Sequence, residues 1–227
     1  MFVVILCGGR GTRLNGERPK PLMQIGGRPI VRHVVAIYAA QGFDRFLLLT
    51  GHRGDEAAAY ADWPPGVTVE RVDTGEDTPT GGRVHRVRDR LTEPFCLTYA
   101  DGLADLDLRA LTAHHAANSR ALATITVVRP ELPFGVAELD GDGRVAGFHE
   151  KPRAEQWVNG GFMVFEPAAL AYLREDSVLE REPLERLAAD GALHAYRHTG
   201  FWRCLDTHKD AVALEELWTS GKAPWPS

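Results

Sequence analysis

Cysteine is scarce in this 227-residue sequence, which holds only three: Cys7, Cys96 and Cys204. An odd number of cysteines without a repeated spacing does not fit a disulfide framework, so we interpret them as reduced thiols. Cys7 and Cys96 lie inside apolar, strand-like runs. Because free cysteine is often simply buried, we expect all three thiols to be packing residues without a chemical role.

The sequence also lacks a basic excess and a long apolar run. It has 26 Lys and Arg against 31 Asp and Glu, a net charge of −5. Proteins that bind nucleic acid or a membrane surface usually carry excess positive charge, so we expect neither partner.

The first residues of the sequence lack the positively charged segment of a signal peptide, and no apolar run approaches the ~20 residues of a membrane span. We therefore expect a soluble, cytoplasmic protein whose anion sites are local clusters of basic residues.

The length fits one α/β domain with a large core and is short for two. Residues 2–7 form an apolar, β-branched run that ends at Gly8, which is typical of a buried parallel strand. Pro29 and Gly42 flank apolar residues at helical spacing, and Arg45–Thr50 is again strand-like. This strand, helix and strand predict a parallel sheet, and ligands of such sheets bind at the carboxyl edge, where the loop after the first strand lies.

Later segments predict further strands, helices and a hairpin. The turn at residues 140–143 joins strand-like residues 136–139 and 145–149, and a further strand follows at 162–165. We predict a single domain with a three-layer, mostly parallel, Rossmann-like core (mainly residues 1–130) and an antiparallel extension with C-terminal helices (residues 131–227). The other predicted strands are residues 68–72, 95–99 and 124–128, and the other predicted helices are residues 108–118, 167–174, 183–189 and 207–219.

A glycine-rich loop follows the first strand. The sequence CGGRGTRL occupies residues 7–14, and RPKPL occupies residues 18–22. Glycines after a buried strand let successive backbone N–H groups surround an anion, and Arg13 and Lys20 add positive charge at the same edge. The loop does not match a Walker loop, which needs Lys followed by Ser or Thr after its last glycine. It does not match a dinucleotide-binding fingerprint either, because Leu14 stands where that motif needs a third glycine or an alanine. An ordinary glycine turn is the alternative to the phosphate-binding loop that we predict.

Two aspartates follow strand-like segments. Asp101 ends an apolar run beside Gly102, which places it at the carboxyl edge of the sheet, although a plain Asp-Gly turn is an alternative. Asp206 precedes a predicted helix, and its own position favours a helix N-cap. Mg²⁺ takes one or two carboxylates together with phosphate oxygens, so the pair would suffice. The set fits nucleotidyl transfer, which depends on alignment and on fixed positive charge around the phosphates.

A further candidate group follows the predicted hairpin. In the sequence HEKP, Lys151 could neutralise the phosphate of an acceptor, and Glu150 could bind sugar hydroxyls. The later sequence Asn159-Gly160-Gly161 would permit close approach of the backbone to a ligand. An exposed turn is the alternative interpretation of the HEKP sequence.

These motifs, in this order, resemble the sugar nucleotidyltransferases over nearly the whole chain. The motifs are GGRGTRL, the Lys-Pro pair at Lys20, the Asp-Gly pair at Asp101, EKP and NGG. Within the family, the chain looks like the branch that joins CTP to glucose 1-phosphate, on segments 72–75, 80–83, 101–107, 200–202 with 205–207, and 221–225. The resemblance implies a nucleoside triphosphate and a sugar 1-phosphate as substrates, a nucleotide sugar and pyrophosphate as products, and Mg²⁺ as cofactor.

The resemblance also implies roles for particular residues. Mg²⁺ would be held by Asp101 and Asp206. The catalytic group would be Arg13, Lys20, Asp101, Lys151 and Asp206. The nucleotide would be bound by Leu6, Cys7, Gly8, Gly9, Arg10, Gly11, Thr12, Arg13, Lys20, Thr78, Gly81, Arg83 and Ala100. The sugar phosphate would be bound by Gly102, Gly135, Glu150, Lys151, Asn159 and Gly160.

Three departures from the family pattern leave alternatives open. The stretch between the second strand and Asp73 is short, the loop between Leu14 and Lys20 is trimmed, and Ala100 replaces an expected glycine. Another nucleotide, another sugar phosphate or a changed homo-oligomer would fit these departures. The alternative from another class is a non-catalytic regulator that senses a nucleotide sugar. A serine hydrolase is disfavoured because the serines, Ser119, Ser177, Ser220 and Ser227, lie in no nucleophile-elbow pattern.

Overall fold

The computed structural model describes residues 1–9, 19–54, 56 and 62–226. Seven strands form its central sheet: β1 (Phe2–Leu6), β4 (Arg45–Thr50), β5 (Thr68–Asp73), β6 (Phe95–Tyr99), β8 (Ala123–Val128), β11 (Val158–Phe165) and β12 (Leu193–Arg197). Their order in the sheet is β12-β8-β11-β6-β1-β4-β5. Only β11 opposes its neighbours in this sheet, and the other strands share one direction.

In the described part of the chain, three two-stranded antiparallel ribbons and several helices surround this sheet. The ribbons pair β2 (Gln24–Ile25) with β3 (Arg28–Pro29), β7 (Gly102–Ala104) with β13 (Trp202–Cys204), and β9 (Val136–Leu139) with β10 (Val145–His149). The α-helices are α1 (Ile30–Ala39), α2 (Thr80–Arg86), α3 (Leu108–Ala117), α4 (Glu182–Ala189) and α5 (His208–Thr219). Short 3₁₀ helices cover Lys20–Leu22, Arg88–Arg90 and Pro167–Tyr172.

Buried side chains on the two faces of the sheet form two separate cores. Successive residues of a strand point to opposite faces, so Val3 of β1 belongs to one core and Val4 belongs to the other. The first core contains side chains from α1, α3 and α5, and the second contains side chains from α2 and α4. This arrangement confirms the predicted three-layer, mostly parallel fold.

Most predicted elements are present. The strands at 45–50, 95–99, 136–139 and 145–149 have their predicted bounds. The predicted helix at 167–174 is a 3₁₀ turn over Pro167–Tyr172. Strand β11 begins four residues before the predicted strand and lies inside the central sheet, between β6 and β8, instead of in the extension. Since six of its eight residues are buried, it is a core strand in spite of its opposite direction.

Helix α2 and strands β2, β3, β7 and β12 were not predicted, whereas β13 lies in the stretch before Asp206 that the sequence indicates as strand-like. Two adjacent glycines in α2 lower its helix propensity. Strand β7 has three residues, too few to show an alternating pattern. These short elements nevertheless place residues at the candidate site, as described below. In the part of the chain that the structure describes, no helix combines the length and the apolar character needed to cross a membrane.

Candidate active site

A pocket of about 320 Å³ lies at the carboxyl edge of the central sheet. Its walls come from the loop after β1, from Lys20 and Pro21, from the start of α2, and from the end of β6. The sequence predicts a ligand at this edge because parallel strands present their carboxyl ends there. The pocket therefore lies where the predicted phosphate-binding loop and Asp101 should meet.

Most of the described residues assigned to nucleotide binding from the sequence line this pocket. They are Leu6, Cys7, Gly8, Gly9, Lys20, Thr78, Arg83 and Ala100. Gly81 does not line the pocket, and a Cβ atom on it would lie 2.8 Å from the carbonyl oxygen of Ser177. Arg10, Gly11, Thr12 and Arg13 lie outside the described residues. The structure thus brings residues from four separate segments to one surface.

Arg83 of α2 connects the loops that form the pocket. Its side chain is buried, with 4% of the residue exposed. Burial lowers the pKa of its guanidinium, and the charge of Asp73 opposes that shift. The guanidinium donates hydrogen bonds of 2.7–3.1 Å to five protein oxygens: the carbonyl oxygens of Gly8, Thr50, Gly75 and Glu76, and the Thr74 hydroxyl. One side chain therefore holds the loops after β1, β4 and β5 together.

Gly8 makes room for Arg83. A Cβ atom on Gly8 would lie 2.0 Å from the Arg83 Cζ atom, and one on Gly51 would lie 2.4 Å from its Nη1 atom. A Cβ atom on Gly9, by contrast, meets nothing within 4 Å. The sequence interpretation attributed these glycines to close approach of a ligand, but at Gly8 the close neighbour is a side chain of the protein.

The small β7–β13 ribbon brings Asp101 and Asp206 together. Gly102 pairs with Cys204, and the Leu205 amide donates a 2.9 Å hydrogen bond to the Asp101 carbonyl oxygen. Each aspartate lies next to this pairing in the chain, so both carboxylates come to the same end of the ribbon. Ligand atoms of Asp101, Cys204 and Asp206 all lie within 4.8 Å of one another.

The Lys20 ammonium lies between the two carboxylates. Its Nζ atom is 2.5 Å from Asp101 Oδ2 and 2.6 Å from Asp206 Oδ1. Burial alone would lower the pKa of Lys20, but the charge of Asp101 and hydrogen bonds to both aspartates outweigh it and raise the pKa. Lys20 is therefore charged at neutral pH and neutralises part of the negative charge of the pair.

Asp206 is not the N-cap of α5. Thr207 occupies that position, and its hydroxyl accepts a hydrogen bond from the Asp210 amide in a capping box. The N-cap alternative for Asp206 is therefore wrong, and its carboxylate binds Lys20 instead.

Cys204 is part of the site, which its sequence position did not reveal. Burial, followed by the charge of Asp101, raises the pKa of its thiol. The thiol is therefore protonated at neutral pH and is unsuited to act as a nucleophile. All three cysteines are free, and Cys7 and Cys96 are buried as predicted, but Cys7 also lines the pocket and the partly exposed Cys204 lies beside the aspartates.

The oxygen atoms of Asp101 and Asp206 fit a divalent cation. Hard cations prefer carboxylate oxygens, and these two carboxylates already hold a positively charged group between them. They also adjoin the pocket, since Asp101 and Lys20 are among its lining residues. The donor set suits a cation that is shared between protein carboxylates and a phosphorylated ligand.

The residues predicted to bind a sugar phosphate form two groups. Gly102 and Gly160 lie beside Asp101, where the Trp202 indole donates a 2.8 Å hydrogen bond to the Gly160 carbonyl oxygen. In the same segment, Asn159 accepts a 2.9 Å hydrogen bond from the Gly161 amide. Asn159 and Trp202 are both half-buried, so this group forms a packed surface next to the aspartates.

Gly135, Glu150 and Lys151 form the second group, at the end of the β9–β10 ribbon. A Cβ atom on Gly135 would lie 2.9 Å from Glu150 Oε2, and Lys151 Nζ is 3.9 Å from Glu150 Oε1. Lys151 has a φ angle of 46°, which is unusual for a residue other than glycine and is often found at functional positions. Within the described residues, no hydrogen bond or ion pair joins this group to the first.

The chain belongs to the nucleotidyl transferase family, whose pattern matches residues 2–212. The glucose-1-phosphate cytidylyltransferase of Salmonella typhi is 38% identical and aligns with 99% of this chain and 98% of its own length. A probable glucose-1-phosphate cytidylyltransferase of Bacillus subtilis is 36% identical, with 99% of both chains covered. The Salmonella alignment runs over 255 positions against 227 residues here, so this chain lacks segments that the relative has.

A solved structure supports the fold. The crystal structure of HddC from Yersinia pseudotuberculosis superposes with a TM-score of 0.75 at 23% identity, covering 96% of this chain and 99% of HddC. At that identity, the similarity concerns the fold alone. The family match and the two relatives confirm, at the level of the family, the resemblance inferred from the motifs.

Proposed function

We propose that this protein transfers a nucleotidyl group from CTP to glucose 1-phosphate, giving a nucleotide sugar and pyrophosphate. The observation that carries the proposal is the contact of Lys20 with both aspartates at the edge of a pocket formed by the loop after β1. The choice of CTP and glucose 1-phosphate comes from the two relatives, which align over nearly their whole length.

In this proposal, the pocket holds the nucleotide and the adjoining aspartates hold Mg²⁺. Mg²⁺ supplies positive charge against the phosphate oxygens and helps to align the two substrates. Lys20 lies where its ammonium can also meet a phosphate oxygen of the nucleotide. Trp202 and the Gly160 backbone fix the wall beside Asp101, where the sugar phosphate would approach the α-phosphate. The protein thus supplies position and charge, which are the main demands of phosphoryl chemistry.

The test is pyrophosphate release with Mg²⁺, measured for CTP, UTP, dTTP, ATP and GTP against several hexose 1-phosphates. We expect release with CTP and glucose 1-phosphate, and a product mass equal to that of the nucleotide sugar. Release with another nucleotide and sugar phosphate would support the same reaction with different substrates, because the choice of base rests on a few hydrogen bonds. Nucleotide binding without release for any pair would favour the sensing regulator instead.

We expect Lys151→Ala to raise KM for the sugar phosphate about tenfold, with little change in KM for the nucleotide. An exposed ammonium that meets a phosphate contributes on the order of 1 kcal/mol, and binding of the other substrate does not use it. Steady-state kinetics with each substrate varied in turn measure the two constants. Lys151→Arg keeps the charge and should stay close to wild type. A larger effect on the nucleotide constant would assign Lys151 to the other phosphate.

We expect Lys20→Met to weaken turnover and yet to strengthen binding of a divalent cation to the nucleotide-free protein, on the order of tenfold. The reason is that the ammonium and the cation compete for the same oxygens of Asp101 and Asp206. Electron paramagnetic resonance of free Mn²⁺ measures the affinity without relying on activity. Lys222→Met, an exposed lysine near the C-terminus, is the matched control. Unchanged or weaker Mn²⁺ binding would show that Lys20 does not compete with the metal.

A further inference from the structure

The wall of the nucleotide pocket is supported by residues 174–181, which precede α4 and lie far from the pocket residues in sequence. We call them the 174–181 segment. The Gly82 amide of α2 donates a 3.0 Å hydrogen bond to the Ser177 carbonyl oxygen. A Cβ atom on Gly82 would lie 2.1 Å from the Glu175 carbonyl oxygen. The two glycines of α2 therefore allow its first turn to pack directly against this segment.

Glu180 extends the contact to two side chains that line the pocket. Its Oε2 atom accepts a 2.7 Å hydrogen bond from the Thr80 hydroxyl at the start of α2, and its Oε1 atom accepts a hydrogen bond from the Tyr99 hydroxyl at the end of β6. The Thr80 hydroxyl also accepts a 2.9 Å hydrogen bond from the Leu179 amide. One carboxylate thus joins pocket residues from two different elements.

Tyr99 is held tightly on its other side as well. Gly161 has a φ angle of 82°, and a Cβ atom on it would lie 2.7 Å from the Tyr99 Cδ2 atom. The ring therefore packs onto the backbone of β11 while its hydroxyl is fixed by Glu180. Tyr99 is the last residue of β6 and lines the pocket two residues before Asp101, which lines it as well.

We propose that Glu180 is a positioning residue for the nucleotide: by fixing the Tyr99 and Thr80 hydroxyls, its carboxylate sets the shape of the pocket that receives the base and ribose. This proposal rests on the proposed function, in which this pocket holds the nucleotide. Glu180 acts through its two partners, because it does not itself line the pocket. It therefore affects nucleotide binding more than the chemical step or the binding of the sugar phosphate.

The test compares Glu180→Gln with Glu175→Gln, which removes the same charge from the same segment. Both glutamates are exposed, so both variants should fold, as thermal unfolding will check. A glutamine offers one acceptor oxygen and one NH₂ donor where glutamate offers two acceptor oxygens, so one of the two hydroxyls must reverse its hydrogen bond and its own proton loses its acceptor. We expect Glu180→Gln to raise KM and Kd for the nucleotide about tenfold, with kcat and KM for the sugar phosphate within twofold of wild type. Glu175→Gln should match wild type.

A double-mutant cycle separates positioning from a general effect of charge. If Glu180 acts through Tyr99 and Thr80, then Glu180→Gln should have almost no further effect on nucleotide Kd when Tyr99→Phe and Thr80→Val are already present. The same loss in that background, or an equal loss in Glu175→Gln, would overturn the proposal. So would a nucleotide Kd that is unchanged in Glu180→Gln.

Calorimetric nucleotide binding keeps this test independent of turnover. A wild-type protein that binds the nucleotide but releases no pyrophosphate would contradict the proposed reaction alone, and the Glu180 comparison would still be made on Kd. A wild-type protein that binds no nucleoside triphosphate would overturn both proposals.

Discussion

Asp101→Asn is expected to lower turnover on the order of a thousandfold while leaving the fold intact. The carboxylate is one of the two that contact Lys20 and that would hold the divalent cation. An amide of the same shape keeps the packing but loses the negative charge that attracts both cations. Loss of several kcal/mol of charge stabilisation corresponds to a rate loss of this size.

Pyrophosphate release at saturating substrates measures the effect, and Mn²⁺ binding and thermal unfolding accompany it. Weaker Mn²⁺ binding with an unchanged midpoint of unfolding would place the defect in the cation site. Asp89→Asn makes the same chemical change at an exposed carboxylate beside Arg88, and it should be as active as wild type. A fully active Asp101→Asn would remove Asp101 from the metal site and would leave Asp206 without its proposed partner.

The core and the edge of the sheet could be predicted because their signals are local. An apolar run that ends at glycine, as in β1, or at Asp-Gly, as in β6, indicates a buried strand and the side on which it stops. Since parallel strands end at one edge, these signals were enough to place Gly8, Lys20 and Asp101 in one pocket. Whether Asp206 was a cap or a ligand depended instead on the pairing of β13 with β7, a three-residue strand that is too short to predict.

The contacts of Arg83 and Glu180 could not be predicted, because each joins segments that are far apart in sequence. Glu180 bonds to Tyr99 and Thr80, which precede it by 81 and 100 residues. A single sequence carries no periodic signal for such a contact. The adjacent glycines of α2 were a partial sign of close packing. The sequence interpretation assigned one of them, Gly81, to the ligand, whereas the structure places it against Ser177.

The largest expected effect on stability is that of Arg83→Met, which should lower the free energy of unfolding by about 3–5 kcal/mol. The methionine roughly preserves the apolar part of the side chain but donates no hydrogen bond. Five protein oxygens then lose the donor that they share, and several of them are shielded from water. For a domain with a typical stability of about 5–15 kcal/mol, this change is a substantial part of the whole.

Urea denaturation of Arg83→Met, Arg83→Lys and Arg86→Met distinguishes the role of this network from that of charge. Lysine keeps the positive charge but cannot reach acceptors on three loops at once, so Arg83→Lys should recover only part of the loss. Arg86 lies on the same helix, is exposed and bonds to the Thr74 carbonyl oxygen, so its replacement should cost about 1 kcal/mol or less. Equal losses at Arg83 and Arg86 would contradict the network. If Arg83→Lys recovered full stability, charge would be sufficient, and the forked geometry that joins the loops after β1, β4 and β5 would be unnecessary.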